Sequence, residues 1–471
     1  MVISIKSFLR TCIVASVLVL STTSVIGVPE QALAASSSTT GVAKATASNM
    51  PTIGLNGLLT SQNYTVNSLH DACGQMFAGG HFVTVYSPDH TVSYSRNGLF
   101  SFNEATGAVN TTFNPVISGN AVVVDSALPT PDCASVYVSG TFSSVDGNSK
   151  AAYLFKYDLI NNRLDTSFNS EVNANSEINS LALWNGKLIV GGRFTSIGGL
   201  SETGLAALNP ATGANTGYFS HIALTGANAS STPEPTFVKT VAVSPTATID
   251  ANTGANVQHL LIAGNWTAVG GYGRGQVAML SLNTAPTVSA WDCTLLHTLA
   301  DPRFSNFIRG ISFMPDGNTF YLAASGGWGP SKLSDSVSRW EMKVSGKLVN
   351  PTWVNRTGGD SLWTVAATPA AIYVTGHERW ANNPSGQDSA GPGAVARPGI
   401  GAISPTTGLA ISWNPNRSRE VGGEALLVTT AGLWVGSDGA ALGCAVPAGV
   451  NHDDCTGQTL QSHPGIGFLP Y

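Results

Sequence analysis

Charge is scarce in this chain. Of 471 residues only 22 are Lys or Arg and 27 are Asp or Glu, 10% in all, against roughly 25% in an average soluble domain. That scarcity excludes several classes together: a disordered chain needs high charge with low hydrophobicity, a coiled coil needs Glu and Lys, and a nucleic-acid binder needs a basic patch. Familiar catalytic signatures are missing as well. There is no GxSxG nucleophile elbow, no HExxH zinc helix, no P-loop and no GxGxxG opening a helix. GGYGRG (Gly270 to Gly275) is Gly-rich, but it lies between strand patterns with no following helix to hold phosphate. CxxC spacing is absent, which removes the usual structural zinc sites. None of these gaps excludes an enzyme whose acids come from distant segments.

Long apolar runs are lacking too. The longest, CIVASVLVL (Cys12 to Leu20), falls far short of the roughly 20 residues of a spanning helix. Lys6 and Arg10 precede it and the small-residue site Ala32, Leu33, Ala34 follows, so residues 1–34 read as a secretory signal peptide. Without them 20 basic and 26 acidic side chains remain of the 22 and 27, because Lys6, Arg10 and Glu30 are removed. This mild acidity disfavours non-specific contact with nucleic acid or anionic lipid. A secreted, extracellular protein with no membrane span is expected. Five cysteines would then sit in an oxidising compartment. Cys444 and Cys455 flank a segment rich in Gly, Pro and Asp and are expected to form a disulfide; Cys73 with Cys133 is the second pairing, leaving Cys293 free.

What the chain has is glycine, 52 residues of it, with 43% hydrophobic residues. The length exceeds a usual single core of about 250–300 residues. Residues 35–50 are mostly Ser, Thr and Ala and read as a flexible leader. After them the chain repeats itself. A glycine ends an apolar run in MFAGGHF (Gly80), VYVSGTF (Gly140), LIVGGRF (Gly192), LIAGNW (Gly264), YLAASGGW (Gly326), IYVTGHE (Gly376) and LWVGSD (Gly436), at intervals of 50 to 72 residues. Self-similarity on this scale marks an array or a propeller.

The third unit gives the grammar. INSLALW (Ile178 to Trp184) alternates as a half-buried strand does, Asn185-Gly186 supplies a tight hairpin, KLIVGGRF returns, GLAALNP adds a third strand and a short fourth ends at Tyr218 and Phe219. Four antiparallel strands make a propeller blade. A fourth-strand aromatic repeats as Phe113, Phe168, Phe219, Trp291, Trp353 and Trp413, one short of seven. Pro51 to Thr60 precedes the first unit and is expected to supply the missing outer strand. The fold expected is therefore all-β, a seven-bladed β-propeller over residues 51–471 closed by an N-terminal outer strand.

The apolar run, the GGxF step and a third strand ending in NPATG (Gly191, Gly192, Phe194, Asn209, Pro210, Thr212, Gly213) resemble the delta-sixty type β-propeller repeats of secreted bacterial proteins. They are more distantly similar to Kelch-like repeats. The resemblance covers nearly the whole mature chain, and its residues are structural. It implies a fold and an exported setting, and it carries no catalytic residue.

Candidate sites follow from connectivity. The longest insertions, Val83 to Asn97, Ser220 to Pro235, Gly329 to Ser336, Arg379 to Pro398 and Ala440 to Pro464, fall on one face, which is the expected binding surface. The residues after the anchor glycines, His81, Thr141, Arg193, Asn265, His377 and Ser437, would form a polar rim suited to a glycan; the same residues fit plain exposed strand ends. Trp380 has no counterpart in other units and opens an insertion, where it would stack on a sugar or pin its loop. His452, Asp453 and Asp454 offer an imidazole and two carboxylates for a structural divalent cation; no other cofactor is expected. The function expected is a binding or adhesion module, working as a monomer and not an enzyme, that contacts an extracellular polysaccharide or surface protein. The alternative is an extracellular glycan-acting hydrolase or lyase with carboxylates from different blades at a central channel.

Overall fold

A computed structural model describes residues 41–471 except 46, 55–63, 251–252, 328, 330–331, 344–345, 347–348 and 446–452. The signal segment, Trp328, His452 and most of Pro51 to Thr60 lie outside the described residues. The chain is all-β, its helical content among the described residues being one α-helix, Thr166–Val172, and two short 3-10 turns.

Seven antiparallel sheets of three to five strands follow one another along the sequence, with short two- and three-stranded pairings formed by the insertions between them. Their first strands are β1 (Thr65–Ala72), β2 (Val123–Pro129), β3 (Ile178–Trp184), β4 (Phe237–Val243), β5 (Ile308–Phe313), β6 (Leu362–Ala367) and β7 (Gly423–Val428). Each of these inner strands packs against the inner strand of the next sheet, and β7 packs back against β1. Neighbouring inner strands are tied by side chains: Ser68 accepts from the Ala127 amide, Ser180 from Val241 and Ser312 from Ala367. Hydrophobic clusters fill the gaps between consecutive sheets, the last joining Leu427, Trp434 and Phe468 of the seventh sheet to Met76, Phe100 and Phe102 of the first. The hairpins between first and second strands turn on residues that tolerate positive φ, such as Asn185-Gly186 and Cys73-Gly74. Cys73 is disulfide-bonded to Cys133 in the neighbouring hairpin, Cys444 is bonded to Cys455, and Cys293 is a buried free thiol.

Three features depart from the sequence expectation. The fourth-strand aromatics are core residues, with Phe113, Phe168, Phe219, Trp291 and Trp413 buried, but the strand around them is mostly lost. Phe168 sits in the α-helix capped by Asp165, and the first, third and sixth units keep only isolated bridges at Val109, Asn215 and Ala410. The fourth keeps the short strand Thr287–Val288, and the fifth keeps a full fourth strand, Trp353–Arg356. The aromatic ring does the work of filling the gap between sheets, so little backbone pairing is needed. The second departure concerns register. In the fifth sheet the residue opposite the start of the inner strand is Ala324, and in the seventh it is Ser437, so the equivalent of His81 is Ser325 in the fifth sheet and, in the seventh, Asp438 rather than Ser437.

The third departure is at the N-terminus. Thr52–Ile53 pairs with Thr84–Tyr86 in the first insertion and not with the seventh sheet. The segment alongside Ile466–Pro470 is instead further upstream, where Lys44 and Ser48 donate to the carbonyls of Pro470 (2.7 Å) and Phe468 (2.8 Å) and Ser48 forms an isolated bridge with Phe468. Ala43, Ala45 and Ala47 alternate inward and are buried. The segment that looked like a leader has the period of a strand, hidden in the sequence because its inward residues are all alanine. Only small side chains fit there, since Ala45 packs directly on the Cys444–Cys455 disulfide and Gly443 lies against the backbone of Ala45 and Ala47.

Candidate functional site

Every inner strand carries a register break at the same place. In β1 the pairing steps from Val66 to Ser68, and the same one-residue skip occurs at Asp125, Asn179, Lys239, Arg309, Trp363 and Glu424. A bulge of this kind re-aims a side chain out of the ladder. The seven skipped residues, Asn67 included, all line one cavity of about 520 Å³ enclosed by β1 to β7. The bulge also explains the repeated glycine. A Cβ on Gly192 would strike the Glu177 carbonyl that the bulge pushes forward, and Gly80, Gly140, Gly264 and Gly376 meet the same obstacle.

The ring is amphoteric and sorted by sign. Lys239 and Arg309 are adjacent on β4 and β5; Asp125 and Glu424 lie across the cavity on β2 and β7, separated by Asn67 on β1. Asn179 and Trp363 separate the two arcs. Burial pushes the Asp125 carboxyl up to about 6, helped by Glu177 and Glu424 and opposed by Lys239 and the Asn67 hydrogen bond. Burial raises Glu424 too, against the pull of Lys239, and lowers Arg309. Arg309 is held in place by Nε donating to Ser325 Oγ (2.8 Å) and by its position 5.1 Å over the Trp363 ring. Trp363 in turn donates to the Val421 carbonyl (3.2 Å). A second cavity of about 350 Å³ shares Lys239 and Arg309 with the first and is bordered by Arg193, Glu234 and Arg303. Thr232 and Glu234 belong to the Ser220 to Pro235 insertion, so the decorated face and the ring meet here.

The rim residues take different parts. Arg193 pairs with Glu177 (2.7 Å) and Glu234 (2.6 Å) and stacks 4.0 Å over Phe237. Thr141 donates to Glu177 (3.0 Å), and His81 is half-buried at its strand end. Asn265 is fully buried, its amide spent on Asn228 and on the Glu234 and Pro235 carbonyls. Ser437 is buried as well, a consequence of the register in the seventh sheet. His377 accepts from the Ser361 amide (3.1 Å) and has its other ring nitrogen on the Val421 carbonyl (3.0 Å). Trp380 pairs with Ala396 in a two-stranded insertion under Arg379, 4.4 Å from its ring, and lines neither cavity.

Asp454 is occupied by Asn414 (3.1 Å) and Thr456. No group of three or more His, Cys, Asp or Glu is placed to hold a metal ion among the described residues. A tryptophan that does line the cavity is Trp363, which sequence reasoning missed along with the rest of the ring. Its signal is a repeated triplet, apolar then variable then small: Val66-Asn67-Ser68, Val124-Asp125-Ser126, Ile178-Asn179-Ser180, Val238-Lys239-Thr240, Ile308-Arg309-Gly310 and Leu362-Trp363-Thr364.

No protein-family model matches the chain, and no curated protein matches it. Among solved structures it is similar to the computationally designed Ika8 protein (9% identity, TM-score 0.43, 90% of this chain and 100% of that one). It is also similar to the WD40 β-propeller domain of Doa1 (10%, 0.43, 85% and 95%). A third is the extracellular domain of the putative one component system BT4673 from B. thetaiotaomicron (10%, 0.47). That match covers 90% of this chain but only 40% of the other.

Proposed function

We propose that the chain is a seven-bladed β-propeller closed by residues 44–48, and that it acts as an extracellular binding module whose ligand is a glycan seated in the cavity ringed by the seven bulges. The observation that carries the reading is the ring itself. Seven register breaks each turn one side chain into a single cavity, five of them amide, carboxylate or ammonium groups beside one guanidinium and one indole. A structural cavity has no need of unpaired charge, whereas a polar ligand does. Two disulfides agree with an oxidising compartment, and no helix of the described residues is long and apolar enough to cross a membrane.

Titration calorimetry against a panel of oligosaccharides tests the reading. Binding by the wild type is expected to weaken tenfold or more in Trp363→Ala, which removes an aromatic face worth about 1–2 kcal/mol to a stacked ring, with the melting temperature nearly unchanged. Binding that survives Trp363→Ala undiminished, or no binding across the panel, contradicts it. A second reading, glycan hydrolysis or elimination by Asp125 and Glu424, draws on two carboxyl groups in one cavity with Asp125 raised towards neutrality. Product formation in the same mixtures, lost in Asp125→Asn, would favour it.

A further inference from the structure

We infer that the Lys239 and Arg309 arc of the cavity receives the carboxylate of an acidic sugar, so that the ligand is a uronate-bearing glycan rather than a neutral one. The inference rests on the glycan reading above and names its chemical class.

Four cations border the second cavity, and they are not equivalent. Arg193 is neutralised by Glu177 and Glu234, and Arg303 is neutralised by Asp301 through two of its nitrogens. Lys239 and Arg309 have no carboxylate within 4 Å among the described residues. These two alone line both cavities along with the inner strands that carry them. Arg309 is also oriented in advance. Ser325 holds its Nε and the Trp363 ring lies beneath its plane, which leaves the two terminal nitrogens free to meet an anion side by side. A guanidinium fixed in this way suits a planar carboxylate, with the ammonium of Lys239 as a second donor.

The opposite arc selects among anions. With Asp125 and Glu424 across the cavity the ring carries two charges of each sign, so a dianionic phosphate would gain from one arc and be repelled by the other, while a single negative charge loses less. Burial raises both carboxyl groups, with Glu177 and Glu424 adding to the rise at Asp125 and Asp438 to that at Glu424. That weakens the arc as a seat for an ammonium group and suits hydroxyls, which donate to carboxylates and accept from carboxylic acids. Asn67 and Asn179 add amides that serve hydroxyls in either role. A ring bearing one carboxylate and several hydroxyls matches this distribution.

The experiment uses the secreted chain with three probes: a disaccharide ending in glucuronate, its glucose-ended neutral counterpart, and inorganic sulfate. The acidic disaccharide is expected to bind at least tenfold tighter than the neutral one, with the gap shrinking as salt is raised from low to physiological strength. Lys239→Met and Arg309→Met should each weaken the acidic disaccharide at least about fivefold more than the neutral one, and Arg309→Lys should restore only part of that difference. Far-UV circular dichroism and melting temperature check that the variants fold. Equal affinity for the acidic and neutral disaccharides overturns this inference and leaves the glycan reading standing. Sulfate binding as tightly as the acidic disaccharide overturns it as well, and no binding by either sugar overturns both.

Discussion

A chain starting at Pro51 is expected to be far less stable than one starting at Gly41, by at least the about 2–5 kcal/mol that a large core truncation costs. Three losses combine. Ala43, Ala45, Ala47 and Met50 leave the core, and the carbonyls of Phe468 and Pro470 lose the amides of Ser48 and Lys44. Tyr373, buried against Trp413, loses the Ala43 amide that its hydroxyl accepts from (2.9 Å). The last strand of the seventh sheet, Ile466–Pro470, would then present an open edge to other molecules. At roughly 2–4 °C per kcal/mol for a large domain, the melting temperature should fall by about 10 °C and aggregation should rise. Differential scanning calorimetry of the two chain lengths reads this directly, and equal melting temperatures would mean that the alanine segment is not part of the fold.

Stability should also fall as pH rises from 6.5 to 8, by about 2–3 kcal/mol. The chief cause is Glu378, which occupies the position that holds Phe82, Phe142, Phe194 and Trp266 in the first four sheets. It is as buried as they are, neither carboxyl oxygen has a hydrogen-bond partner among the described residues, and burial pushes it up to about 8 against the pull of Arg417. Arg417 spends Nε and Nη2 on the carbonyls of Gly376, Gly399 and Arg419, and its Nη1 lies 3.9 Å from Asp438. Burial likewise raises Asp335 to about 7.

A carboxyl raised in the folded state holds its proton after the unfolded chain has released it. The stability it contributes is complete below the unfolded value and is lost as pH climbs to the folded one. Buried histidines work in the opposite sense and in another window. Desolvation lowers His70 and His463 to about 4, so their effect is confined to the range below about 6.5, the unfolded value. Above 6.5 the carboxyl groups act alone, at about 1.4 kcal/mol per unit of displacement. Urea unfolding at pH 6.5 and 8 should therefore give a lower midpoint at pH 8, and Glu378→Gln should remove more than half of the difference. A midpoint independent of pH in the wild type would refute the assignment.

The repeat was legible in the sequence for a physical reason. The glycine marks where the second strand crosses the bulge of the first, and only a residue without a Cβ passes beneath that carbonyl in five of the seven sheets. Where Ala324 and Ser437 stand instead, reading by glycine slipped, to Gly326 and Gly436, and the rim was misplaced with it. The ring of the cavity was harder to see, because a bulged residue falls out of the period-two alternation that identifies strands. Its side chains range from Asn to Trp, so no one residue type marks the position. The two disulfide pairings, by contrast, were recoverable, because Cys73 and Cys133 each occupy the same hairpin of adjacent units and Cys444 and Cys455 bracket one insertion.

The proposed closure rests on the segment upstream of Pro51, and hydrogen exchange tests it without altering the protein. If residues 41–50 form the outer strand of the seventh sheet, a peptide covering them should exchange as slowly as one covering Ile466–Pro470, since both lose their bonds in the same opening. Exchange of the 41–50 peptide within seconds, while 466–470 stays protected, would contradict the account.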